Sequence, residues 1–193
     1  MTPASPADPV PSVPHYRFKN PSVLAEALTH KSHVNERKGA TRTHNERLEF
    51  LGDAVLSLII SDHLAQLYTQ LSEGSLSKLK AGLVSEFSLA QAARRMNLGA
   101  LLRLGRGEEL SQGREKNSLL ADALEAVIAA VYLDGGLEAS RIFTLGVMQE
   151  ELRQAEAHQS TPGEEDYKTR LQEWCQNRYD QLPQYVTVRE SGP

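Results

Sequence analysis

One cysteine, Cys175, stands in the 193 residues. An internal disulfide is therefore excluded, and so is a cysteine-based zinc site. A lone thiol of this kind fits a reducing compartment and is expected to be a small buried hydrophobe. No stretch reaches the ~18 consecutive apolar residues of a membrane span. The opening MTPASPADPVPSVP has neither a basic start nor an apolar run, so it does not read as a secretory signal. Its proline and serine content predicts a disordered lead over residues 1–14. The sequence thus reads as that of a cytoplasmic protein with no membrane partner. An excess of basic charge is missing too: the net charge is −4. Residues 167–193 carry four basic and three acidic side chains, a balance of +1, which leaves −5 on the first 166. A polyanion ligand would need local basic patches or a metal that offsets the acids. The six histidines lack ligand-like spacing, and the His30/His33 pair reads as structural. Glu-x-x-His pairs of a di-iron bundle are absent, as are the strand-led glycine motifs of nucleotide-binding folds.

What is present reads as helices joined by short loops, an all-α chain. Asn20-Pro21 opens a short helix, SVLAEALTH. VNERKGATRTHN is polar and predicts a loop. Leu48, Leu51, Val55, Leu58 and Ile59 keep helical spacing from about Glu46 to Tyr68. A break at Ser72–Ser75 follows, then a helix capped by Ser75 or Ser77 that bends or divides near Ser85-Glu86. LGRGEELSQGREKN reads as a glycine-rich loop. SLLADALEAVIAAVYLDGG predicts a helix from about Ser118 to Leu133, closed by Gly135 or Gly136. Another runs from about Leu137 to Ala157. HQSTPGEED is a linker by composition. A short helix, YKTRLQEWCQNRY, and a strand-like QYVTVRE end the chain.

The acids carry the chemistry. In HNERLEFLGD, Glu46, Glu49 and Asp53 stand at i, i+3 and i+7, one face of a helix. Leu48, Leu51, Val55 and Leu58 take the other side. Gly52 costs ~1 kcal/mol of helix propensity relative to Ala, which suggests that another chain segment approaches closely there. A solvated acidic face would explain these three acids equally well. The second helix tilts the balance. Asp122 and Glu125 sit at i, i+3 in a segment so apolar that it must be buried on most sides. Ionised carboxylates lose several kcal/mol of hydration on burial. Neither acid has a Lys or Arg within a turn on its own helix. A hard divalent cation with oxygen ligands, Mg²⁺ with Mn²⁺ as a substitute, would compensate them. Such a site hydrolyses phosphodiesters.

HNERLEFLGD closely resembles the signature of the ribonuclease III family of double-stranded-RNA endonucleases. ALTHKS (27–32), EGSLSKLKAGLVS (73–85), LRLGRGE (102–108) and SLLADALEAVIAAVYLDGG (118–136) resemble further family blocks in family order. YKTRLQEWCQ (167–176) looks like the start of the double-stranded-RNA-binding domain of bacterial members. The resemblance covers roughly residues 15–190. It implies a helical catalytic domain over 15–158, a linker over 159–166 and an incomplete α+β RNA-binding domain over 167–193. It implies metal-binding acids at Glu49, Asp53, Asp122 and Glu125, with Asp53 and Glu125 catalytic and Glu125 most directly tied to the metal. Glu46 and Glu73 take the place of accessory acids. Cleavage of both strands to 5′-phosphate and 3′-hydroxyl ends with short 3′ overhangs is implied. So is processing of structured RNA such as ribosomal precursors and messages. A homodimer is implied as well, with Phe50 anchored in a pocket of the partner rather than in its own core.

Several positions carry less weight. Asn45 and Arg47 either orient the acids or cap the helix. Lys78, Lys80, Arg106 and Arg114 are candidate phosphate contacts, or plain solvated charges. Gln172 and Gln176 fall where the family's RNA-binding helix reads the minor groove. The basic last helix of that domain is not in the sequence, so the chain reads as C-terminally truncated, with weak and salt-sensitive RNA binding expected. Two functions follow: a Mg²⁺-dependent endonuclease for double-stranded RNA, or a non-cleaving dimeric module that binds structured RNA. The intact set of acids favours the first.

Overall fold

The computed structural model describes residues 13–36, 43–159, 174–176, 178, 179 and 183. Contacts divide the chain into two units, Met1–Ala155 and Glu156–Pro193. The helices are α1 (Pro21–Ala27), α2 (Lys31–Glu36), α3 (Glu46–Leu67), α4 (Glu73–Leu83), α5 (Glu86–Arg95), α6 (Leu98–Leu101), α7 (Arg106–Leu110), α8 (Asn117–Val147) and α9 (Gln149–Gln159), with a 3-10 turn at Gly113–Glu115. Among the described residues no strand forms, only isolated bridges such as Thr29 with Arg103.

The first half of α8 is the centre of the first unit. Leu124, Val127, Ile128 and Val131 are fully buried on it. Helices α3, α5 and α1 pack around it, bringing Leu56, Ile59 and Ile60, Leu89 and Ala93, and Leu24 into the same core. Each such aliphatic side chain contributes ~1.5–3 kcal/mol on leaving water, which outweighs the modest propensities of these helices.

Helix ends follow polar residues. The Asn20 side chain accepts from the Ser22 amide at 3.1 Å and starts α1. Ser72, rather than Ser75 or Ser77, caps α4: its Oγ accepts from the Ser75 amide at 3.2 Å. The long helix expected after it is divided where Ser85 caps α5, with Oγ accepting from the Ser88 amide at 3.3 Å. Gly136, at φ 83°, breaks α8 where the sequence suggested a stop. This left-handed backbone favours glycine. Below it Asp134 clasps the segment before α1, accepting from the Tyr16 hydroxyl and from the Lys19 and Asn20 amides, each at 2.8 Å.

Two supposed loops hold short helices. VNE belongs to α2, and the polar stretch RGEEL forms α7. Glu36 explains both. Its carboxylate, near the end of α2, accepts from the Arg106 amide at 2.8 Å and the Gly107 amide at 3.3 Å, supplying from 70 residues away the cap that α7 lacks locally. A long-range cap of this kind leaves no local signature.

In the second unit, residues 174–176, 178 and 179 are helical, and the rings of Trp174 and Tyr179 meet edge to face at 5.4 Å. Cys175 is half-buried rather than fully buried. Gln172, the strand-like 184–190 and residues 1–12 of the expected lead over 1–14 lie outside the described residues; at the end of that lead Val13 is ordered and buried in the core of the first unit.

One close approach positions everything that follows. A Cβ on Gly52 would stand 1.9 Å from the backbone carbonyl oxygen of Glu125. Helices α3 and α8 therefore touch backbone to backbone at this point. Gly52→Ala is expected to cost ~1–3 kcal/mol by overpacking, read as a lowered melting temperature. It should also separate the acid-bearing faces and slow any chemistry they share by about a hundredfold. Unchanged melting and turnover in that variant would contradict the close contact.

Candidate active site

Glu46 and Glu49 occupy the first turn of α3, where the helix dipole favours negative charge, and Asp53 lies a turn further on. Asp122 and Glu125 lie one turn apart on α8. The Gly52–Glu125 contact falls between Glu49 and Asp53 on one helix and at Glu125 on the other, so the two acidic faces converge.

The electrostatics report this convergence. Burial pushes the Glu125 carboxyl up to about 7, and the charges of Asp53, Asp122 and Glu49 push it the same way. Burial also raises Glu49, with Asp122 and Glu46 adding to it. Asp122 is raised by burial and then by Glu86 and Glu46, with Lys31 opposing. Three carboxyls thus sit in an environment that resists their ionisation.

A cavity of about 260 Å³ opens beside them, lined by His30, Lys31, Asn45, Glu46, Glu49 and Asp122. Its wall comes from the THKS stretch. The His30 amide donates to the Arg103 carbonyl at 3.0 Å, and the Asn45 amide to the Thr29 carbonyl at 2.9 Å, which ties the start of α3 to that stretch. Asn45 is buried and makes no side-chain cap. Lys31 Nζ lies 2.8 Å from Glu46 Oε1 and holds that carboxyl below its usual range. His44 Nδ1 is buried without a hydrogen bond, 3.7 Å from Glu46 Oε2.

Other expected residues stand elsewhere. Glu73, in the first turn of α4, accepts from Ser77 Oγ at 2.7 Å; it neither lines the cavity nor belongs to the charges that shift Glu49, Asp122 or Glu125. Phe50 is 82% exposed, so it does not pack in its own core. Arg114 is structural: its guanidinium donates to the carbonyls of Gly99 at 2.6 Å and Leu102 at 2.8 Å and pairs with Glu109. His33 bonds the Leu104 carbonyl at 3.1 Å, as a structural histidine would. Gln176 is exposed on the helical part of the second unit. Lys31, His30, His44 and Glu86 are the residues that sequence reasoning missed. ALTHKS was legible as a block, but only folding shows that it faces the acids.

The chain matches the model of the Ribonuclease-III-like family over residues 20–171. It belongs to the ribonuclease III family. Ribonuclease 3 of Desulforamulus reducens is 48% identical over 178 residues, 92% of this chain and 71% of that protein. Ribonuclease 3 of Caldanaerobacter subterraneus subsp. tengcongensis is 50% identical over 182 residues, 93% and 77% of the two chains. Among solved structures, a nuclease domain of ribonuclease III from Campylobacter jejuni, described for a flexible region involved in dimer formation, aligns with a TM-score of 0.66 at 43% identity, covering 72% of this chain and 92% of that one. The protein is accordingly an endoribonuclease with the helical ribonuclease III nuclease fold. No helix among the described residues is long and apolar enough to cross a membrane.

The ribonuclease III family implies a divalent metal, and the donor set fits one. The charges that shift Glu125 are all carboxylates. Their oxygens are hard ligands, and a dication would relieve repulsion that no side chain near Glu125 relieves. Among the described residues no three acids or histidines form a ready-made cation cage, so the carboxylates would have to close on the ion.

A titration checks this arrangement. An acid whose folded pKa lies above its unfolded value costs stability as pH rises. For Glu125 the cost is absent below about 4.5 and complete above about 7. His30, whose pKa burial lowers, titrates nearby with the opposite sign, so the informative quantity is a difference. In EDTA, the melting temperature of the wild type relative to Glu125→Gln is expected to fall from pH 5 to about pH 7 and to level off above it. A constant difference would mean that Glu125 ionises like a solvated glutamate.

Proposed function

We propose that this protein is a Mg²⁺-dependent endonuclease for double-stranded RNA. It acts as a homodimer and leaves 5′-phosphate and 3′-hydroxyl ends with short 3′ overhangs. The observation that carries the reading is the convergence of Glu49, Asp53, Asp122 and Glu125 across the Gly52 contact, where burial and mutual repulsion hold Glu125 near 7.

In this reading the four acids hold the metal, with Mn²⁺ as a substitute, and Glu125 and Asp53 lie nearest the reacting phosphate. A divalent ion bound there supplies charge neutralisation and activation of water. The chain's own residues do the rest. Glu125, whose carboxyl burial and three neighbouring acids push up to about 7, would give up its remaining proton on taking a ligand role. The Leu48 and Val55 side chains, buried behind the acids, keep that face of α3 fixed. Glu46 adds an outer carboxylate. Glu73, in the first turn of α4, is the second proposed accessory acid. Gln172 and Gln176 remain proposed RNA contacts of the second unit, and structured RNAs such as ribosomal precursors and messages the proposed substrates.

The dimer rests on α3. Phe50, Ala54 and Leu58 are exposed at i, i+4 and i+8, an apolar stripe on one helix face. An isologous contact through this stripe would set the two acidic sites about a two-fold axis, as cutting two antiparallel strands requires. Phe50 would be its anchor.

Two experiments test the reading. A long RNA duplex at low salt should yield short duplex products with Mg²⁺ and none with EDTA. Glu125→Gln should lower the rate by about a thousandfold or more, the several kcal/mol expected of a metal site. Cleavage that persists in EDTA would overturn the metal assignment. Phe50→Ala should weaken dimerisation by about thirtyfold, the ~2 kcal/mol of an interface anchor, in analytical ultracentrifugation. An unshifted dimer would remove Phe50 from the interface.

A further inference from the structure

Lys31 is the one lysine or arginine among the six residues that line the acidic cavity. Its position is built into the fold. It opens α2 directly after His30, whose amide is bonded to the Arg103 carbonyl, and after Thr29, whose carbonyl receives the Asn45 amide. The backbone at the base of the side chain is therefore fixed from both α3 and the 102–104 segment. Its head group is not fixed in the same way. The Lys31–Glu46 pair is half in solvent, with 56% and 47% of the two side chains exposed, and a four-carbon stem lets the ammonium swing. From Glu46 its charge reaches further, attracting Glu49 and Asp122. On the other flank of Glu46 stands the His44 ring.

Resting on the metal reading above, we propose that Lys31 is a tethered counter-cation of the active site, which occupies the Glu46 side of the cavity in the metal-free protein and must give way when a divalent ion enters. Two observations converge on this. The ammonium already sits on a carboxylate beside Glu49 and Asp122. The pair is exposed, so separating it costs little and the exchange is open to solvent. The device partly offsets the repulsion within the acidic cluster when metal is absent, and it raises the metal concentration needed to load the site.

The test is Mn²⁺ binding followed by electron paramagnetic resonance, at low salt and pH 8, with the full chain. Lys31→Met should bind Mn²⁺ about fivefold more tightly, the effect of removing one charge a few ångströms from the ion at a partly solvated site. Lys31→Arg, which keeps the charge, should bind it much as the wild type does. Without metal, Lys31→Met should melt below the wild type, and the gap should close at saturating Mn²⁺. Equal or weaker Mn²⁺ binding by Lys31→Met would overturn the proposal, showing Lys31 to be a bystander or a residue that orders the site for metal. Asp122→Asn separates the two readings. If the wild type binds Mn²⁺, Asp122→Asn abolishes it and Lys31→Met changes nothing, only the role of Lys31 falls. If the wild type binds no Mn²⁺ at all, the metal reading falls and takes this proposal with it.

Discussion

The site depends on a contact between two backbones. With no Cβ at residue 52, α3 approaches the Glu125 carbonyl to a distance at which any side chain would collide. That approach brings carboxylates of two helices together, with Glu49, Asp122 and Glu125 half-buried and Asp53 exposed. Charges that would be unremarkable on separate helices now oppose one another, and Glu125 is the most perturbed because it is both desolvated and faced by three other acids. Stability is given up locally, and the rest of the unit supplies it. The apolar wall of α8, with Leu124, Val127, Ile128 and Val131 fully buried, fixes the helix that carries two of the acids.

The charge pattern of the chain follows from the same arrangement. A net charge of −4 would repel an RNA, yet several of the acids responsible are gathered where a dication would neutralise them. In the proposed reading, a metal there makes the negative site compatible with a polyanionic substrate, and metal loading becomes a point of control.

Much of this was legible in the sequence, for identifiable reasons. Gly52 in a helix is locally costly, and the cost pointed to a close approach that the structure shows. Asp122 and Glu125 stood out because their neighbours are apolar, so burial followed from periodicity alone. Gly136 announced the break in α8. What stayed hidden depends on contacts distant in sequence. Glu36 caps α7 across 70 residues, so α7 read as loop. Arg114 looked like a free charge because the carbonyls of Gly99 and Leu102 that it satisfies lie in another segment. Lys31 and Glu86 show no local sign of facing Asp122. Glu73, grouped with the acids by resemblance alone, lies in the first turn of α4 and accepts from Ser77.

The central claim is that the four converging acids form a single metal site in whose empty state the Glu125 carboxyl is pushed up to about 7. Calorimetry of Mg²⁺ binding at pH 6.5, repeated in buffers of different ionisation enthalpy, tests it most directly because it counts protons. With a Glu125 carboxyl near 7, binding should release roughly half a proton or more per site. Binding without proton release would contradict the account, because the metal would then be held by carboxylates already ionised, away from Glu125.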